Sequence, residues 1–159
     1  MTDALHQINV NYVAEEDRLQ LRITTQGGDE YRAWLTRRYC RLLLAVLEQE
    51  MDKLGGQPAV ASRPQTRELL HQGALEQPFQ DDDARHLPLG EDGFLAYALN
   101  GRPREDGGLT LELRPRTGQG FTLNLDASLL FMLHNLLQQG ISRADWRLHE
   151  RQSENENIH

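Results

Sequence analysis

The chain has 159 residues, of which 38% are hydrophobic, with a net charge of −7 and a single cysteine. That length holds one compact domain or two small halves sharing a core, and the acidic balance argues against a general nucleic-acid binder, which would usually be basic. Cys40 alone excludes an internal disulfide and a cysteine-based zinc site. No apolar run approaches the roughly 20 residues that span a bilayer, and the start, MTDALHQ, lacks the pattern of a secretion signal, so a cytoplasmic location is expected.

In chain order, His6–Ala14 alternates Ile8, Val10 and Tyr12 against Gln7, Asn9 and Asn11, the period of a half-buried strand. Glu15-Glu16-Asp17 is a charged turn. Leu19, Leu21 and Ile23 then face one way, and Gln26-Gly27-Gly28-Asp29 reverses the chain into Tyr31, Ala33 and Leu35. Three antiparallel strands result, needing cover on one face. Thr36 is placed to cap a helix running to about Leu54, whose stripe is Tyr39, Leu43, Val46 and Leu47 and which Gly55-Gly56 ends. Gln57–Pro64 reads as linker, Thr66–Leu75 as a short helix, and Asp81-Asp82-Asp83 with Pro88 as a loop. Gly93–Asn100 reads as a strand and Gly101–Gly108 as a polar connection. Leu109–Arg114 and Phe121–Leu125 form a hairpin, and Asp126 caps a helix with the stripe Leu129, Leu133, Leu136 and Leu137. Ser142–Leu148 suggests a further turn of helix with Trp146 packed back, and Gln152–His159 a frayed tail.

Leu19–Gln49 aligns without a gap on Leu109–Gln139, ninety residues on. Seven positions are identical, including Leu19 on Leu109, Gly28 on Gly118, Leu35 on Leu125 and Leu47 on Leu137, while Tyr31 meets Phe121 and Thr36 meets Asp126. Each half alone has too little core to stand. The expectation is an α+β domain of internally duplicated β-β-β-α units, with one antiparallel sheet or two abutting sheets and helices covering one face. The first unit spans 1–56, a linker with a short helix 57–92, the second unit 93–150 and a flexible tail 151–159.

Positions that differ between the units are where function is sought. Arg37, Arg38 and Arg41 stand at the start of the first helix, where the second has Ala127, Ser128 and Phe131. They share one side of the helix and oppose its macrodipole. Either they pair with Glu15, Glu16, Asp29, Glu30 or acids of the joining loop, or with the free backbone N–H groups they bind a phosphate or carboxylate. On the hairpin, Arg22, Arg32 and Trp34 face outward; their counterparts in the second unit are Glu112, Thr122 and Asn124. An open sheet face of arginine and aromatic suits single-stranded nucleic acid. The bland alternative is that the 57–90 segment or a second subunit buries Trp34.

No catalytic constellation is recognised, and no cofactor or metal is expected. Cys40 sits inside a helix beside the apolar stripe and reads as an inert core thiol. Asp81-Asp82-Asp83 with His86 reads as a solvated acidic loop, and His134 as a structural histidine.

The segments EYRAWLTRR (Glu30–Arg38), HLPLGEDGFL (His86–Leu95) and GFTLNLD (Gly120–Asp126) resemble a group of small proteobacterial proteins of unknown function, a likeness that implies no activity or site. Two tandem units of strands followed by a helix are also similar in outline to the PUR and Whirly families of single-stranded nucleic acid binders. Those units carry four strands, against three here, and more basic sheets. The expectation is thus a non-enzymatic module whose contact surface is Arg22, Arg32, Trp34, Arg37, Arg38 and Arg41. Its partner is another protein or a second copy, with single-stranded nucleic acid as the alternative and no membrane.

Overall fold

A computed structural model describes residues 4–73, 79–82 and 84–146. The protein is α+β. Strands β1 (Leu5–Val13), β2 (Arg18–Thr25) and β3 (Glu30–Leu35) form an antiparallel meander that leads into helix α1 (Arg37–Lys53). Helices α2 (Gln57–Ala61) and α3 (Pro64–His71) follow, then β4 (Phe94–Leu95), which pairs parallel with β3. Strands β5 (Ala98–Pro103), β6 (Leu109–Arg114) and β7 (Phe121–Leu125) form a second antiparallel sheet and lead into α4 (Ala127–Ala144).

The alternation read in the sequence sets which face is buried. Leu19, Leu21, Ile23, Ala33 and Leu35 are fully buried, as are Leu111, Leu113, Leu123 and Leu125 at the corresponding points of the second hairpin. The ladders repeat as well. Leu19↔Leu35, Leu21↔Ala33 and Ile23↔Tyr31 recur as Leu109↔Leu125, Leu111↔Leu123 and Leu113↔Phe121. Both helices are capped alike: the Thr36 hydroxyl accepts from the Tyr39 amide at 3.2 Å and the Asp126 carboxylate from the Leu129 amide at 2.9 Å.

The two sheets are joined by one crossing strand. The Ala96 amide donates to Trp34 O and the Tyr97 amide to Arg114 O, each at 2.9 Å, so the chain leaves the edge of β3 and joins β6. The expected strand at Gly93–Asn100 is therefore split between the sheets, and one of its pairings is parallel, because the linker returns the chain to β3 in the same direction. The polar run expected as a connection instead extends β5 to Pro103. Gly101 hides the period there: a Cβ on it would stand 3.3 Å from Val46 and 3.4 Å from Leu109, space those side chains already fill.

Packing is reciprocal between the halves. Helix α4 lies over β1 and β2, with Gly140 against Val10 and Leu19, while α1 lies beside β5. The helices meet each other at His134, which is buried. Its Nδ1 is 2.8 Å from Gln57 Nε2 and its Nε2 is 3.0 Å from Glu48 Oε1, so both ring nitrogens are satisfied. Trp146 does pack back, edge-on to Tyr12 with its indole N–H donating to Asp17 at 3.0 Å. The segment read as linker contains α2, and α3 begins at Pro64 rather than Thr66. Pro58 and Pro64 each sit in a first helical turn, where the missing N–H costs nothing. Leu75, Asp83, Leu148 and the tail fall outside the described residues.

Candidate functional site

The register places Arg22 directly opposite Arg32 on the outward face of the first sheet, two like charges that need a counter-ion. Glu30 supplies it. Its carboxylate, 2% exposed, accepts from Arg22 Nε at 3.0 Å, from Arg32 Nε at 2.5 Å and from Arg85 Nη1 at 2.9 Å. Burial alone would raise the pKa of Glu30, but the three guanidinium hydrogen bonds outweigh it and hold the group below its ordinary value.

The rest of this cluster comes from residues 79–82 and 84–92, which lie across the outward face as a strap. Arg22 also reaches Asp81 Oδ1 at 2.7 Å and stacks over Phe79, with 4.2 Å from guanidinium carbon to ring centre. Arg85 lies over the same ring and donates to Gln80 O. Arg32 donates to Glu91 O at 2.8 Å, Trp34 Nε1 to Asp92 O at 3.0 Å, and the Glu30 amide to His86 O at 2.9 Å. A pocket of about 450 Å³ remains between sheet and strap. Arg22, Arg32 and Arg85 in its wall face four acids, Glu30, Asp81, Asp82 and Glu91, so it offers no net positive field to an anion.

Arg37, Arg38 and Arg41 are placed differently. Helix α1 turns Tyr39, Cys40, Leu43 and Leu47 inward and leaves the three arginines exposed. None of them makes an ion pair among the described residues. Of the acids considered as partners, Glu16 pairs with Arg18, Asp29 with His86, Asp81 with Arg22, and Glu30 within its own cluster. Leu42 lies on this face, 42% exposed. The six residues singled out in the sequence thus fall into two groups, three held under the strap and three open on α1.

The second hairpin carries no strap among the described residues. Its outward face is a small polar network: Thr110 Oγ1 donates to Asn124 Oδ1 at 3.1 Å, Asn100 Nδ2 to Glu112 Oε1 at 3.2 Å, and Arg114 pairs with Glu112 at 3.2 Å.

Cys40 is buried and its thiol is pushed up to about 12 by desolvation, which leaves it protonated and unreactive. Among the described residues no group of three His, Cys, Asp or Glu side chains could hold a metal, and no helix is long and apolar enough to cross a membrane. Sequence reasoning offered Glu30 as a counter-ion to Arg37, Arg38 and Arg41, whereas it pairs with Arg22, Arg32 and Arg85, and it missed Phe79 and Arg85. Glu30 was legible, since it shares the outward face with Arg32 at a spacing of two; the loop residues carried no periodic signal.

No protein-family model, curated protein or solved structure matches the chain, so the resemblances rest on the residues quoted for them.

Proposed function

We propose that this chain is a non-enzymatic binding module of the bacterial cytoplasm that recognises an acidic protein surface through the open face of α1. One observation carries the reading. Three exposed arginines, unpaired among the described residues, crowd the end of a helix where the macrodipole disfavours cations, and Leu42 sits exposed beside them. Stability gives no reason for such a placement; recognition does, because arginine forks and an apolar contact are what interfaces favour. The repeated ladders support reading the two βββα units as an internal duplication, in which only the first helix took up this surface.

The alternative, single-stranded nucleic acid, loses three of its six residues to the strap and rests on the same α1 arginines. The test compares wild type with an Arg37→Ala/Arg38→Ala/Arg41→Ala variant in two assays. In affinity capture from a native extract at low and moderate salt, acidic proteins held by wild type and lost by the variant are expected. In fluorescence anisotropy with labelled single-stranded DNA and RNA, no binding is expected. Salt-sensitive binding to the oligonucleotides that the variant abolishes replaces the protein partner with nucleic acid. Equal behaviour of the two proteins in both assays overturns the proposal.

A further inference from the structure

Among the described residues nothing pairs with the outer edge of β7, and the first half shows what such an edge accepts. In β3 the even-numbered residues turn their backbone away from β2. The Glu30 amide donates to His86 O, Trp34 O accepts from the Ala96 amide, and Arg32 O points at Gly93, where a Cβ would stand only 2.3 Å from it. The parallel strand added there is Gly-Phe-Leu-Ala (93–96), with Phe94 opposite the inward-facing Ala33 and its ring against Phe121 at 5.6 Å.

The edge of β7 is built in the same phase. Leu113 O is directed at Gly120 and Leu125 O at Gly108, so Phe121, Leu123 and Leu125 are the residues hydrogen-bonded across the ladder to β6. Thr122 and Asn124 must then turn both N–H and C=O outward, and no described residue bonds to these groups. Natural edges are guarded by charge, proline or a bulge. Among the other sheet edges, β1 has a bulge between Leu5 and Gln7, and β5 carries Arg102 and ends in Pro103. Strand β7, Phe-Thr-Leu-Asn-Leu, has none of the three, only its five-residue length.

We propose that the edge of β7 is a docking site for an extended segment of a partner protein, added parallel as a fourth strand, with glycine first and an aromatic or large aliphatic residue next. Backbone bonds to Thr122 and Asn124 supply the affinity, and the apolar side chain opposite Leu123 supplies the selectivity. This site is independent of the α1 surface.

The probe is a capped peptide covering Glu91–Ala98 of this chain, added to the full-length protein and followed by hydrogen exchange of the Thr122 and Asn124 amides. Slowed exchange at both is expected. The peptide N-methylated at the position of Ala96, whose amide faces the edge, is expected to lose binding; methylation at Leu95, whose amide faces away, is expected to preserve it. These peptides leave the protein's own folding untouched. Asn124→Pro, which removes an amide outside the β6 ladder, is expected to abolish binding, whereas the triple arginine variant binds as wild type does. Absence of protection, protection confined to α1, or equal loss with either methylated peptide overturns the proposal. So does a dimer of the unliganded protein already protected at Thr122 and Asn124, which makes a second copy the occupant.

Discussion

The hairpin of β2 and β3 and that of β6 and β7 share their register, their buried positions and the capping of the helix that follows, yet their outward faces have separate fates. Arg22, Arg32 and Trp34 on the first are engaged by the chain's own strap; the polar side chains of the second bond one another. An arginine and tryptophan face resembles a ligand platform until the remaining chain is placed over it. What distinguishes the halves as surfaces is the open arginine face of α1 and the open edge of β7.

Four substitution sets sharpen this contrast. Leu21 and Leu111 occupy the same point of each hairpin and are fully buried. Each change to alanine should cost about 3 kcal/mol in urea denaturation, in a single transition, because the halves share one core. Independent loss of one half's signal breaks that picture.

Glu30→Ala, whose counterpart is Gly120, should cost about 2 kcal/mol; the figure is moderated because Arg22 and Arg32 keep some contact with water. The same carboxylate sets a pH dependence. Its folded pKa lies below the ordinary 4.5, so its contribution is complete above that value and is lost as pH falls through the folded pKa. Wild type should therefore lose stability more steeply than Glu30→Gln in acid melts, and equal slopes would remove the strap's anchor from the account.

Thr36→Ala and Asp126→Ala should each cost about 1 kcal/mol, the caps being equivalent. Two values differing by more than that break the correspondence between the helix starts. Last, the triple alanine variant at Arg37, Arg38 and Arg41 should change thermal stability by no more than about 0.5 kcal/mol, toward greater stability as cations leave the helix N-terminus. A clear destabilisation would show the arginines to be structural.

Much of the fold was legible because period-two and helical apolar spacing dictate burial directly. Leu19, Leu21 and Ile23, the two caps and the turn at Gly28 all follow from local chemistry. Long-range pairing was not: nothing near Phe94 says that it will join β3 in parallel, and Gly101 erases the alternation of β5. The surface divided likewise. The arginines of α1 could be placed from helix geometry alone, but Asp81 beside Arg22 and Asp92 beside Trp34 are loop residues nearly sixty positions away, brought there by tertiary structure.

The lodging of α4 over β1, with Gly140 against Val10 and Leu19, joins the first described strand to the last described helix. During synthesis on the ribosome β1 and β2 emerge long before their cover exists, and closure waits for α4. Such long-range closure slows folding and prolongs the exposure of Leu19 and Val10. The nascent protein thus passes through a stage in which its amino-terminal meander is complete in sequence and still unprotected, the stage at which a chaperone would find most to hold.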